Sequence, residues 1–247
     1  MGGLLNQHSG CADIASPTVK ILTVSSLELA LARDRVQPMP PTGFVYHETR
    51  CGSTLAANML ASVPSHLMWS ESTGPWKVLH TCKNCPTSQI VRYLRVVMGL
   101  MGRSQRHNRV FFKFQNSDDI VTYSAAFPDT PWMYLFRDPV EVMMSRLGAQ
   151  RIGMEGMQDD VEGQLTHARN SRTKPGAREK SVATTLFSLS AKAIEASARS
   201  PGMGMMVEYV HLPNVLADVV LPSHFHVTLT EAERAALMAP AAKYSKV

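Results

Sequence analysis

Residues 42–60 read TGFVYHETRCGSTLAANML: a short apolar strand at 43–46, a tight loop, then a helix running to about Val63 and ending before Pro64. That order brings several backbone N–H groups together at a helix N-terminus, and Arg50 beside them completes a site for a phosphate-like anion. A second stretch repeats the arrangement. Trp132-Met-Tyr-Leu-Phe136 is a wholly apolar strand ending in Arg137, and Ser145 follows eight residues after that Arg. Ligands of open α/β sheets sit outside the carboxyl ends of the strands, so two anion-gripping strand ends point to a ligand with phosphate at both of its ends. Helix capping accounts for part of the second stretch, with Asp138 as N-cap, Pro139 at the first helical position and Glu141 in the first turn. It does not account for an Arg at the end of a buried strand.

The first loop differs from that of the nucleoside triphosphatases, G-x-x-x-x-G-K-[ST]. His47 stands at the first Gly, Gly52 at the second, Ser53 in place of the Lys, and Thr54 keeps the last position. Ser53 cannot replace a charge that reaches the β- and γ-phosphates, and no clean Walker B carboxylate follows, which argues against a degenerate P-loop kinase or NTPase. The positive charge has moved upstream to Arg50. The pattern R-x-G-[ST]-T after a strand resembles the 5′-phosphosulfate loop of the sulfotransferases that use 3′-phosphoadenosine 5′-phosphosulfate (PAPS). Arg137-Asp-Pro-Val-Glu-Val-Met-Met-Ser145 is similar to that family's 3′-phosphate loop, with an Arg and a Ser at the same spacing. The resemblance covers residues 42–247 in outline and is specific at the two loops.

The resemblance implies an α/β fold of three layers, P-loop type, with a central, mostly parallel sheet flanked by helices. It implies transfer of a sulfuryl group from PAPS to a hydroxyl acceptor (carbohydrate, peptide tyrosine or small molecule) with no metal required. Arg50, Cys51, Gly52, Ser53 and Thr54 would bind the 5′ end of the cofactor, and Arg137 and Ser145 its 3′-phosphate. Tyr209, in Glu208-Tyr-Val-His-Leu212, matches a Tyr that lies near the adenine, although Val210 and His211 replace the family's acidic pair. Thr49 and Cys51 stand where many members carry Pro and Ser, and neither change removes a charge. The family's C-terminal Gly-rich basic segment has no counterpart here, so the chain is expected to be truncated at that end.

Sulfuryl transfer asks mainly for positioning and charge stabilisation, by analogy with phosphoryl transfer. Arg50 is placed to face the sulfuryl group, where negative charge develops. A general base must take the acceptor's proton. Glu71, just after the strand Leu67–Ser70, is the candidate, since carboxylates at a similar distance downstream serve the tyrosylprotein and some bacterial sulfotransferases. The alternative for Glu71 is an exposed loop carboxylate. The cytosolic branch instead uses a His two residues after a Lys at the end of the third strand. Here Lys113 is kept but Gln115 cannot act as a base, which sets the chain closer to the tyrosylprotein and bacterial branch. Lys113 is either a second contact to the sulfuryl oxygens or a snorkelling edge-strand lysine. His47 is assigned to packing or loop hydrogen bonding. An inactive relative that only binds a nucleotide or a partner stays open beside the enzyme.

The 247 residues, 45% hydrophobic and 18% charged, are those of a globular chain. A net charge of +5 suits a polyanionic nucleotide and is no argument for nucleic acid. No apolar run approaches the length of a membrane span and no secretory signal is legible, so a cytoplasmic protein is expected. Gly2 fits a myristoylation signal, but Asn6 stands where Ser or Thr is wanted. Of the cysteines, Cys82 and Cys85 form a lone C-x-x-C, open to a local disulfide, half a zinc site with His80, or coincidence. Cys51 either has its pKa lowered by the helix end and Arg50 or simply fills a small loop position.

Residues 1–41 read as a lead-in with a short helix at 26–36, and residues 42–247 as the P-loop domain. Thr87–Met101 carries Ile90, Val91, Leu94, Val97, Met98 and Met101 at helical spacing. A strand at 110–114, a helix at 118–127 and the 132–136 strand with its helix follow. From 153 to 180 the chain reads as a long loop, placed to meet the acceptor through Arg169, Arg172, Lys174, Arg178 and Lys180. A helix at 181–198, a strand at 205–210 and a helix at 230–238 complete the alternation, which implies right-handed parallel crossovers.

Overall fold

The computed structural model of the chain describes residues 37–81, 84–114, 119–151 and 176–244. Five strands, β1 (Pro41–His47), β2 (His66–Ser70), β3 (Arg109–Lys113), β4 (Trp132–Phe136) and β5 (Gly204–Glu208), form one sheet in the order β2-β3-β1-β4-β5. All four neighbouring pairs are parallel, where a mostly parallel sheet is expected. From central β1 the chain passes outward to β2, returns to β3, then crosses to β4 and β5. The direction of winding therefore reverses around β1, and a crevice opens there at the carboxyl ends. The register aligns those ends: Val45 and Ser70 lie beside Lys113, His47 beside Leu135, and Phe136 beside Glu208.

Helices α1 (Ser53–Ser62), α2 (Thr73–Thr81), α3 (Thr87–Met101), α4 (Ile120–Ala126), α5 (Pro139–Arg151), α6 (Ala177–Arg199), α7 (Glu231–Met238) and α8 (Ala241–Tyr244) accompany the sheet. Alternation along β1 supplies the two cores, because successive side chains of a strand face opposite ways. Val45 packs with Met59, Leu60, Leu216 and Leu221 on one side. Phe44 and Tyr46 pack with Leu94, Met98, Phe112, Tyr123 and Trp132 on the other. Each such fully buried large side chain contributes about 1.5–3 kcal/mol. The helical spacing read in Thr87–Met101 is spent on the second core, where Leu94 and Met98 are buried and Ile90, Val91 and Met101 pack against them.

Several boundaries are corrected. The last strand ends at Glu208, and Tyr209–His211 is a 3₁₀ turn. The segment 177–180 is the first turn of α6, started by Gly176 at φ 80°, so Arg178 and Lys180 belong to a helix and not to a loop. Glu179 and Lys180 are good helix formers and need no loop. Helix α2 and the π-helical stretch Leu216–His224 carry no sequence expectation. β3 is flanked by β2 and β1, which removes the edge-strand reading of Lys113. The expected helix at 26–36, Gln115, and Arg169, Arg172 and Lys174 lie outside the described residues.

Candidate functional site

The first loop leaves β1 with two left-handed residues, Arg50 (φ 60°) and Gly52 (φ 77°), around the buried Cys51. Gly52 is the N-cap of α1. It supplies no side-chain cap, and the first turn holds no acidic residue, so no carboxylate of that turn neutralises the positive end of the helix dipole. A Cβ on Gly52 would lie 2.3 Å from Cδ2 of Tyr209, so only glycine lets the ring of Tyr209 cover this backbone. Ser53 is buried where α1 begins and Thr54 is exposed next to it. Cys51 turns its thiol into the core and donates to the backbone oxygen of Glu48 at 2.9 Å. Burial, with the nearby Glu48 carboxylate, pushes that thiol up to about 12. The filling role holds, and the lowered pKa of the alternative does not.

The second loop leaves β4 at Arg137. Its backbone N–H donates to Glu48 Oε1 at 2.7 Å, and its Nε donates to Glu141 Oε2 at 2.6 Å. Its guanidinium carbon stands 4.7 Å from the centre of the Tyr209 ring, a cation–π distance. Asp138 caps α5 as expected, accepting from the N–H groups of Val140 and Glu141 at 2.9 and 3.0 Å. Arg50 Nε donates to Ser145 Oγ at 3.0 Å. The two loops, far apart in sequence, thus meet three times: through Glu48 and the Arg137 N–H, through Arg50 and Ser145, and through Tyr209, which touches Gly52 on one side and Arg137 on another.

A third group gathers at the ends of β2, β3 and β1. Lys113, 4% exposed, pairs with Glu71 Oε1. Glu71 has φ 51°, a strained value for a residue with a side chain, and its N–H extends the ladder to the Lys113 carbonyl at 2.8 Å. Burial works to raise the Glu71 carboxyl, but the contact with His47 and the Lys113 charge outweigh it and hold it near about 2. His47 donates from Nδ1 to the Glu48 carbonyl at 2.8 Å, the loop hydrogen bond expected of it. That leaves Nε2 turned toward Glu71 Oε1 at 3.3 Å, in contact but too poorly aligned for a good hydrogen bond.

The residues assigned in the sequence to the cofactor and to catalysis therefore gather at one end of the sheet. One more polar residue is at the centre of it. Glu48, 3% exposed, binds both loops, and an acid directly after a buried strand and two residues before Arg50 is the signal that could have found it. Cys85 precedes α3, away from these residues. Cys85 is in a disulfide, which removes it as a zinc ligand, and Cys82 lies outside the described residues.

A crevice at the reversal of a parallel sheet, with a left-handed loop entering a helix, defines an α/β protein of the P-loop type. Comparison with solved structures narrows the fold to that of the sulfotransferases. The chain is similar to sulfotransferase STF9 from Mycobacterium avium, with a TM-score of 0.58 and 12% identity over 92% of this chain and 74% of that one. It is also similar to sulfotransferase STF1 from Mycobacterium tuberculosis H37Rv, with a TM-score of 0.55 and 14% identity over 87% of this chain and 76% of that one. At such identities the likeness is one of fold. No family model matches the chain, and no curated protein matches it. Among the described residues no helix is long and apolar enough to cross a membrane.

Proposed function

We propose that this protein transfers a sulfuryl group from PAPS to a hydroxyl acceptor. The observation that carries the reading is the Arg50–Ser145 hydrogen bond, which joins a loop suited to one phosphate to a loop suited to another. A nucleotide phosphorylated at both 3′ and 5′ positions has the matching pair of anions. The loop of Cys51, Gly52, Ser53 and Thr54 would take the 5′-phosphate on backbone N–H groups and hydroxyls. Arg137 and Ser145 would take the 3′-phosphate, and Tyr209, packed on Gly52 and under Arg137, would offer its ring to the base.

In the transfer, the acceptor oxygen attacks sulfur, the bond from sulfur to the bridging oxygen breaks, and 3′,5′-ADP leaves with that electron pair. Arg50 and Lys113 would meet the charge developing on the bridging and sulfuryl oxygens. The acceptor's proton would pass to Glu71. Engagement of Lys113 by the sulfuryl oxygens would take from Glu71 one of the charges that hold its carboxyl low, making it a better base when it is needed. A second reading, a nucleotide-binding relative that transfers nothing, draws on that same low value near about 2 in the free protein.

Titration calorimetry with 3′,5′-ADP and with 5′-AMP tests the two-loop reading. One charge-assisted contact is worth about 1.5–3 kcal/mol, so 3′,5′-ADP is expected to bind at least ten-fold more tightly. Equal affinities would sink it.

A further inference from the structure

Glu48 is used by nothing in the mechanism above, yet four polar contacts converge on it. Its N–H donates to the Leu135 carbonyl at 3.1 Å, continuing the β1–β4 ladder past its last pair. Its own carbonyl accepts from His47 Nδ1 at 2.8 Å and from Cys51 Sγ at 2.9 Å, the latter closing the first loop on itself. Its carboxylate accepts the Arg137 N–H at 2.7 Å, holding the second loop where it leaves β4. One residue, 3% exposed, therefore stands at the root of both anion loops, holding the first with its backbone and the second with its side chain.

The charges around it are otherwise engaged. Lys113 and His47 face Glu71, and Arg137 holds Glu141 through its side chain while giving Glu48 only its backbone N–H. Arg50 is exposed and bonded to Ser145, and the Cys51 thiol is held neutral by its burial. Among the described residues no cation pairs with Glu48. A buried carboxylate without a cation pays the full cost of desolvation. Burial accordingly raises this carboxyl to about 7, against the smaller lowering effect of the Arg137 N–H.

An ionised Glu48 would repel any anion held by the two loops it ties together. A protonated Glu48 keeps a carbonyl oxygen for the Arg137 N–H and loses the repulsion. We infer that Glu48 is a proton-linked positioning residue: it fixes the spacing of the two loops through Arg137 and takes up a proton when anions fill them. This rests on the reading of the loops as a bisphosphate site.

Glu48→Gln mimics the protonated side chain and keeps the acceptor. Calorimetry with 3′,5′-ADP and, separately, inorganic pyrophosphate, at pH 6 to 8 and in buffers of different ionisation heat, reads the linkage. Between pH 6 and 8 the wild-type affinity is expected to fall about ten-fold more than that of Glu48→Gln, and near pH 7 wild type should take up roughly half a proton more per anion bound. Any titration of the ligand's own phosphates is common to both proteins and cancels. Glu48→Ala, which loses the tie, should bind weakly at every pH. A carboxyl-carbon NMR titration of wild type alone covers a variant that fails to fold. One Glu carboxyl should titrate near neutrality in the free protein and not below pH 8 in the complex. Equal pH dependence in wild type and Glu48→Gln, or no Glu carboxyl titrating near neutrality, would overturn the inference. If neither anion binds, the bisphosphate reading falls on its own, and the NMR titration of the free protein still decides whether Glu48 carries the proton.

Discussion

Tyr209 sets the Cδ2–Cε2 edge of its ring against Gly52 and lies under the Arg137 guanidinium, so its ring, Gly52 and Arg137 are one packed unit, and small changes there should disturb the ligand more than the fold. The roles proposed for Arg50 and Glu71 separate in a different way. Glu71→Gln should leave 3′,5′-ADP affinity nearly intact and slow sulfuryl transfer roughly 10²–10⁴-fold. Arg50→Ala should weaken both, because Arg50 is assigned to the cofactor and to the developing charge. Labelled sulfate followed from PAPS onto a panel of acceptors, with binding measured in parallel, distinguishes the two. Unchanged turnover in Glu71→Gln would return that residue to a structural role, tying β2 to β3 through Lys113. The meeting of the two loops was legible because Arg50 and Arg137 each leave an apolar strand for a helix, an order that brings both loops to one end of a parallel sheet. Glu48 stood out only as an acid after a buried strand, since what it does is decided where β1 meets β4, in a contact spanning 89 positions.

Among the elements, those with a clear period or a hard stop were legible. Helix α3 matches its apolar spacing end to end, and α1 stops before Pro64. The strands β1, β2 and β4 were plain as short apolar runs bounded by loop residues. Helix α2 was hidden because Gly74 and Pro75 break any helical pattern in its first turn, and the π-helical stretch contains Pro222, which reads as a break. Helix α7 was placed at 230–238, and the structure adds its full capping box. Thr230 accepts from the Glu233 N–H, and Glu233 reaches back to the Thr230 N–H at 3.0 Å. Thr230→Ala should lower unfolding free energy by about 1 kcal/mol in urea titrations, without altering nucleotide affinity. The cap stands with Ser65, whose hydroxyl donates to Glu233 at 2.6 Å, at the foot of β2.

The molecule as a whole has its candidate site at the carboxyl ends of the strands and a buried, acid-sensitive histidine at the amino ends. His66 opens β2 there, 3% exposed, with its ring 4.9 Å from that of Phe111. Burial lowers its pKa to about 4, helped by nearby Arg109 and opposed by the Leu60 carbonyl. An unfolded His titrates near about 6.5. Between those values the unfolded chain binds the extra proton, so this stability is present above about pH 6.5 and lost as pH falls toward 4. The loss should approach about 3 kcal/mol in urea unfolding curves, and His66→Phe should flatten the slope. A profile unchanged by the substitution would mean the ring is hydrated in solution. The sheet order has a consequence for synthesis. Of the five described strands the central β1 is made first and finds its neighbours only when β3 and then β4 have been made, and Arg50 waits 95 positions for Ser145. Until β3 is made both edges of β1 are bare, and until β4 is made one still is; bare edges invite pairing with other chains. A nascent chain halted between β3 and β4 carries one anion loop, no partner for it, and a half-covered strand. Chaperone capture should therefore be greatest before β3 is made, fall when β3 covers one edge of β1 and fall again when β4 covers the other, and fast translation through residues 66–136 would shorten the exposure.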